Sequence, residues 1–256
     1  MSAVDVHVVE SGVPDGPVVV LSNSLGATHR MWDAQLDALE PRFRVLRYDT
    51  RGHGESPAPD GPYSIDDLAD DLVGILDRFG VARAHLVGLS LGGMTAMRVA
   101  ARNPERVERM ALLCTAAQLP PASAWRDRAA TVRAGGCSAV APAVVGRWFT
   151  LGYLDTHPTE RDAWEQMIAA TSAAGYAGCC EAIAEMDLRE QLSQITAPTL
   201  AIAGAEDPAT PPAALEDITS RIPNARLLIV EEAAHLANAE QPEQISAALI
   251  EHLEQS

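Results

Sequence analysis

Ala84 to Ala101 reads AHLVGLSLGGMTAMRVAA, and its centre, Gly88-Leu89-Ser90-Leu91-Gly92, fits the pattern G-x-S-x-G. The apolar run from His85 to Leu89 has strand character. It meets a serine flanked by glycines, then a segment whose apolar positions suit a helix packed on a sheet. The stretch therefore predicts strand, tight turn and helix, with Ser90 at the bend. A nucleophilic serine pushed out of such a turn sits at strained φ/ψ. A Cβ two residues to either side would collide with neighbouring backbone, which is why glycines stand there. The pattern alone also arises by chance, so the rest of the chain has to supply a base, an acid and oxyanion donors.

Outward from this stretch the chain alternates strand and helix. Val4, Val6 and Val8 alternate with polar residues, as in an edge strand, and Pro17 to Leu21 is a continuous apolar run of the buried type. That run ends in Ser22-Asn23-Ser24-Leu25-Gly26, followed by a polar turn and an amphipathic helix carrying Met31, Trp32, Leu36 and Leu39. Phe43 to Tyr48 is a further strand and delivers the glycine-rich loop Asp49 to Ser56. Ser64-Ile65-Asp66-Asp67 resembles a capping box opening a helix that stops at Gly80. After the Ser90 helix comes a strand from Val107 to Cys114, and there the alternation stops. From Leu119 to about Ile195 only helices are expected, with Gly135-Gly136, Gly152 and His157-Pro158 as breaks. Alternation resumes with strands at Thr199 to Ala203 and Arg226 to Val230. The pattern predicts an α/β protein with a doubly wound, mostly parallel sheet. Its core spans residues 1–118 and 196–256, and residues 119–195 form a helical cap inserted after the sixth strand.

Composition bounds the function. The chain has 256 residues, is 47% hydrophobic and carries 19 basic against 35 acidic side chains, a formal charge of −16. Its basic residues are dispersed, so neither nucleic acid nor an anionic membrane surface is an expected partner. The N-terminal MSAVDVHVVESG has no basic or apolar leader character, and no apolar run approaches the ~18 residues of a membrane span, so a cytoplasmic protein is expected. Cys114, Cys137, Cys179 and Cys180 show neither metal-ligand nor disulfide spacing and read as reduced, packed thiols.

In such a sheet the reactive groups collect at the carboxyl ends of strands. After the Thr199 strand comes Gly204-Ala205-Glu206-Asp207-Pro208, and after the Arg226 strand comes Glu231-Glu232-Ala233-Ala234-His235. A serine hydroxyl is a weak nucleophile and needs an imidazole to take its proton. The imidazole in turn needs a carboxylate on its other nitrogen to fix the tautomer. Among seven histidines, only His235 follows the last strand. Asp207 competes with Glu206 and is preferred because its short side chain, before Pro208, stays close to the strand end. The catalytic set expected is Ser90, Asp207 and His235. Oxyanion donors are expected from the backbone N–H of Leu91, directly after the nucleophile, and of Leu25, with Ser24 as its competitor. Asp49, Arg51 and His53 read as a structural loop.

These residues carry a resemblance. LSNSLGA (Leu21 to Ala27), YDTRGHGES (Tyr48 to Ser56), GLSLGGM (Gly88 to Met94) and RWFT (Arg147 to Thr150) are part of it. CCEAIAEMDLR (Cys179 to Arg189), APTLAIAGAEDPATPP (Ala197 to Pro212) and AAHLANAEQP (Ala233 to Pro242) complete it. The chain resembles the α/β-hydrolase family and, within it, the bacterial 3-oxoadipate enol-lactonases of the β-ketoadipate pathway. The resemblance implies a small anionic lactone as substrate, an acyl-enzyme on Ser90, and no metal or organic cofactor. A protein at −16 that binds an acetate arm has to present a cation locally. Arg133 and Arg147, with Trp148 beside them, are the cap residues expected to do so. An aspartate nucleophile, the mark of dehalogenases and epoxide hydrolases of this fold, is absent at position 90. A general carboxylesterase, a perhydrolase-type enzyme and a carbon–carbon bond hydrolase keep the same triad, and receptors of the same fold form a further class.

Overall fold

The computed structural model describes residues 3–255. Met1 and Ser2 of the N-terminal stretch, and Ser256, lie outside the described residues. In chain order the elements are β1 (Val8–Gly12), β2 (Val18–Ser22), a 3-10 helix (His29–Gln35) running into the short α1 (Leu36–Leu39), β3 (Arg44–Tyr48) and α2 (Ile65–Arg78). Then come β4 (Ala84–Leu89), α3 (Leu91–Arg102) and β5 (Val107–Leu113). The insertion holds α4 (Ala122–Gly135), α5 (Ala141–Trp148), α6 (Leu151–Thr156), α7 (Pro158–Ala169) and α8 (Ala173–Glu185). The chain closes with β6 (Thr199–Gly204), α9 (Pro212–Arg221), β7 (Ala225–Val230), α10 (Ala237–Glu240) and α11 (Pro242–Leu253).

The strands form one seven-stranded sheet in the order β1-β3-β2-β4-β5-β6-β7. All neighbours are parallel except β1, which runs antiparallel to β3. β4 and β6 are buried along their whole length, as strands covered by helices on both faces must be. Apolar runs without alternation produce this, and the register Ser22↔Gly88 and Leu89↔Leu113 brings the loops after β2, β4 and β5 to one edge.

Three local expectations change. Val4 and Val6 do not extend β1. Their amides go to Asp71 Oδ1 at 2.7 Å and to Val4 O at 3.0 Å rather than to a neighbouring strand. With no further N-terminal strand among the described residues, the cap follows the fifth strand, not a sixth. The segment carrying Met31 and Trp32 is a 3-10 turn, and only Leu36–Leu39 is α-helical. The capping box does form: Ser64 Oγ accepts from the Asp67 amide at 3.2 Å while Asp67 Oδ2 accepts from the Ser64 amide at 2.9 Å. All four cysteines are buried free thiols. No helix among the described residues is long and apolar enough to cross a membrane.

The cap sits on the core through a backbone-to-backbone contact. A Cβ on Gly175 of α8 would lie 2.3 Å from Gly52 Cα, so neither position tolerates a side chain, and Gly52 also has φ +76°.

Candidate active site

Ser90 follows β4 at φ 55°, ψ −114°, a conformation that costs a non-glycine residue about 1–3 kcal/mol and that the surroundings must impose. They do so by close approach. A Cβ on Gly88 would come within 2.3 Å of Gly92 O, and one on Gly92 within 2.1 Å of Ser22 O. The Ser90 amide donates to Leu113 O at 2.9 Å, and its carbonyl accepts from Thr115 Oγ1 at 2.7 Å. The side chain is thereby held at the N-terminus of α3, facing a cavity.

Asp207 follows β6 and is buried, whereas Glu206 is exposed, so the acid in the site is Asp207. Its Oδ1 accepts from the amides of Ala209 at 2.8 Å and Thr210 at 3.0 Å. Its Oδ2 accepts from Thr210 Oγ1 at 2.7 Å and contacts His235 Nδ1 at 2.8 Å. Burial pushes this carboxyl up, but the neighbouring His235 and the donors from His235 and Thr210 outweigh it and hold Asp207 below the usual carboxylate value. With Nδ1 engaged by the carboxylate, His235 keeps Nε2 for the cavity. Ser90 and His235 both line that cavity.

Leu25 follows β2 and also lines the cavity, as does Ser24. Among the described residues, neither the Leu25 nor the Leu91 N–H has a protein acceptor. The Ser24 amide is turned to Met31 Sδ at 3.3 Å, which favours Leu25 of the two. The Leu25 loop is braced by the glycine-rich loop after β3: the Gly26 amide donates to His53 Nε2 at 3.0 Å, and His53 Nδ1 lies 3.1 Å from Arg51 O. Burial lowers the His53 pKa, which keeps Nε2 an acceptor. Arg51 is fully buried and reaches Asp71 with Nε and Nη2, each at 2.6 Å. This loop holds the site's scaffold and contributes no residue to the cavity lining.

The cavity measures about 250 Å³. Trp148 and Arg147 of α5 line it, but Arg133 does not. Arg133 is exposed and pairs with Glu181 at 2.7 Å on the outside of the cap, so its charge is already answered there. The cation that sequence reasoning missed is Arg128, on the same helix, stacked 4.6 Å over the Trp125 ring and lining the cavity with it. Five residues separate Arg128 from Arg133, roughly 140° of helical rotation, so the two face different surroundings. Trp125, Arg128 and the buried Val132 fall on one stripe, and that spacing was the available signal. Neither Arg128 nor Arg147 pairs with a carboxylate among the described residues. Burial and then the neighbouring Arg128 cation both lower the Arg147 pKa. A larger cleft of about 680 Å³ lies at the amino ends of β2 and β4, lined by Pro17, Phe43 and His85, and contains no serine.

Glu240 ties the cap to the histidine loop. Its Oε2 accepts from the Ala234 amide at 2.6 Å, and its Oε1 from the amide and hydroxyl of Thr150, both at 2.8 Å. The Leu236 amide also donates to Trp148 O at 2.8 Å.

A family model described as the alpha/beta hydrolase fold matches residues 17–135 and 151–242. 3-Oxoadipate enol-lactonase 2 of Acinetobacter baylyi is 40% identical to this chain, over 93% of it and 89% of the relative. The crystal structure of the enol-lactonase from Burkholderia xenovorans superposes with a TM-score of 0.96 at 40% identity, covering 99% of both chains. A thermophilic esterase from Thermogutta terrifontis, solved with malate bound, superposes with a TM-score of 0.92 at 30% identity, over 97% of this chain and 92% of that one. With a strained serine after β4, a parallel sheet of this strand order and relatives matching along nearly the whole chain, the protein belongs to the α/β-hydrolase family.

Proposed function

We propose that the protein hydrolyses 3-oxoadipate enol-lactone to 3-oxoadipate, a step of the β-ketoadipate pathway of aromatic catabolism, through an acyl-enzyme on Ser90. The observation that carries this reading is one small cavity lined by Ser90, His235 and two arginines, Arg128 and Arg147, that have no carboxylate partner. Two uncompensated, half-buried cations repel each other and are costly unless an anion joins them. A ligand with a carboxylate arm supplies it. The relatives named as enol-lactonases, at 40% identity, support the same substrate class.

In the mechanism, His235 takes the Ser90 proton as Oγ attacks the lactone carbonyl, and Asp207 stabilises the imidazolium and its tautomer. The Leu25 and Leu91 amides, without protein acceptors, receive the oxyanion. Collapse expels the enolate, a far better leaving group than an alkoxide. It remains tethered to the acyl chain, takes the proton from His235 and tautomerises to the ketone. Water deprotonated by His235 then cleaves the acyl-enzyme, and the proton returns to Ser90. Arg128 and Arg147 grip the carboxylate throughout, while Trp125 and Trp148 flank the ring. No cofactor takes part in these steps. The physiological partner is a small anionic lactone in the cytoplasm, with neither nucleic acid nor a membrane surface engaged by a chain of charge −16.

The test supplies enol-lactone generated in situ and follows its ultraviolet loss. Turnover well above that on neutral p-nitrophenyl esters is expected, and equal rates on both would leave a general carboxylesterase. Arg128→Met and Arg147→Met should each raise KM for the lactone at least about tenfold, the range for loss of a charge-assisted contact. A neutral ester of similar size should be spared. Equal loss on both substrates would remove the arginines from substrate recognition.

A further inference from the structure

Outside the catalytic cavity, the fold gathers side chains that are distant in sequence. His7 precedes β1, His29 begins the 3-10 helix after the Leu25 loop, and Asp49 follows β3. Their ligand atoms all lie within 4.8 Å of one another. His29 Nδ1 is 3.0 Å from Asp49 Oδ1, the two imidazole rings are 5.5 Å apart at 47°, and Glu55 Oε2 stands 3.9 Å from His7 Nδ1. We propose that His7, His29 and Asp49, with Glu55 at the rim, form a binding site for one divalent transition-metal ion of the zinc type.

Three physical arguments support the assignment. Distance comes first: an ion about 2.0–2.1 Å from both His29 Nδ1 and Asp49 Oδ1 subtends roughly 90° between atoms 3.0 Å apart, and a separation wider by about 0.3 Å, with the shared proton displaced, gives the tetrahedral angle. His7 closes the remaining gap by a small side-chain rotation, which its 29% exposed side chain permits. Charge comes second. Asp49 is 1% exposed, yet no arginine pairs with it among the described residues, because Arg51 of the same loop is turned to Asp71. Two carboxylates and two imidazoles therefore face one another with no fixed cation between them. The donor set comes third: two imidazole nitrogens with carboxylate oxygens select zinc, nickel or copper over magnesium or calcium, which prefer oxygen alone. Asp49 Oδ1 also accepts the His29 amide at 2.8 Å, and its Oδ2 the Glu55 amide at 3.0 Å, which fixes the carboxylate where the ion would meet it.

Such an ion would cross-link the segment before β1, the end of the Leu25 loop and the loop after β3. None of the four residues lines the catalytic cavity, so binding is expected to stiffen the fold without blocking turnover. The experiment titrates Zn²⁺ alone into chelator-treated full-length protein by calorimetry, with thermal melts at each concentration. Binding of one ion per chain is expected, with a melting temperature that rises with Zn²⁺ concentration and no response to Mg²⁺. His7→Ala should weaken Zn²⁺ binding at least about tenfold, while leaving the metal-free melting temperature and esterase activity unchanged. Glu55→Ala, at an exposed position, provides a second variant with a smaller loss. His157→Ala, on the cap, serves as the control and should bind Zn²⁺ as the parent does. No binding by the parent protein, undiminished binding by His7→Ala, or equal loss in His157→Ala would each overturn the proposal.

Discussion

Ser90 is held in its strained backbone conformation by close backbone approach on both sides, so its Cβ points into the cavity before substrate arrives. Ser90→Ala should abolish turnover and burst release from an activated ester while leaving the melt unchanged. Asp207→Asn keeps the shape of the side chain but offers His235 the wrong partner, and a loss on the order of 10⁴ in kcat is expected. Thr210 is subtler. Its hydroxyl donates to Asp207 Oδ2 at 2.7 Å and lies 3.2 Å from His235 Nδ1, so it keeps the carboxylate aimed at the ring. Thr210→Val removes one hydrogen bond to a charged group, about 1.5–3 kcal/mol. It should lower kcat roughly tenfold or more with KM little changed, and steady-state kinetics on the lactone would check this.

At the level of whole elements, the cap and the histidine loop act as one unit, because α5 and α6 are joined to the segment around α10 by Glu240 and by the Leu236 amide. Burial raises the Glu240 carboxyl above its usual value despite its three donors, so this clasp is held at some electrostatic cost. Glu240→Gln places an amide NH₂ against donors and leaves at least one of them unmet. A stability loss of about 2 kcal/mol follows, or a melting temperature lower by about 4–8 °C in a chain of this length. An unchanged melt would show that the clasp is dispensable. Within this unit, Arg147 and Trp148 fall in the stretch 136–150 that the family model does not match. The cavity wall is thus built partly from α4, inside the matched region, and partly from α5, outside it.

The whole molecule carries two histidines buried at the far end of the sheet. His85 and His252 are 6% and 2% exposed, and burial pushes both pKa values down to about 4. A depressed histidine pKa means that the unfolded chain binds protons first. Stability is therefore full above the unfolded value near 6.5 and is lost as pH falls from there towards 4. Each such group contributes a loss of about 3 kcal/mol across that window, from about 1.4 kcal/mol per pH unit. Urea midpoints at pH 7 and pH 4.5 should differ markedly in the parent protein and less in His85→Leu. An equal drop in both would assign the acid sensitivity elsewhere.

Much of the fold and of the candidate site could be read from local sequence. Ser90, Asp207 and His235 each follow an apolar run, and their loops are short. Once the alternation of strand and helix is recognised, chain order and strand ends leave little freedom for where those side chains go. The elbow glycines, the Ser64 capping box and the helical insertion are legible for the same reason: each depends on residues within a few positions. What depended on packing was not legible. The start of β1 turned on where two valine amides find acceptors. Arg128 rather than Arg133 meets the cavity because of the rotational setting of α4 against α8, and Glu181 happens to stand outside to take the other charge. His7, His29 and Asp49 meet only because β1 pairs antiparallel with β3 and the loop after β2 folds back over it. Local patterning places a residue on an element, and only the three-dimensional setting of that element decides which neighbour its charge or lone pair will meet.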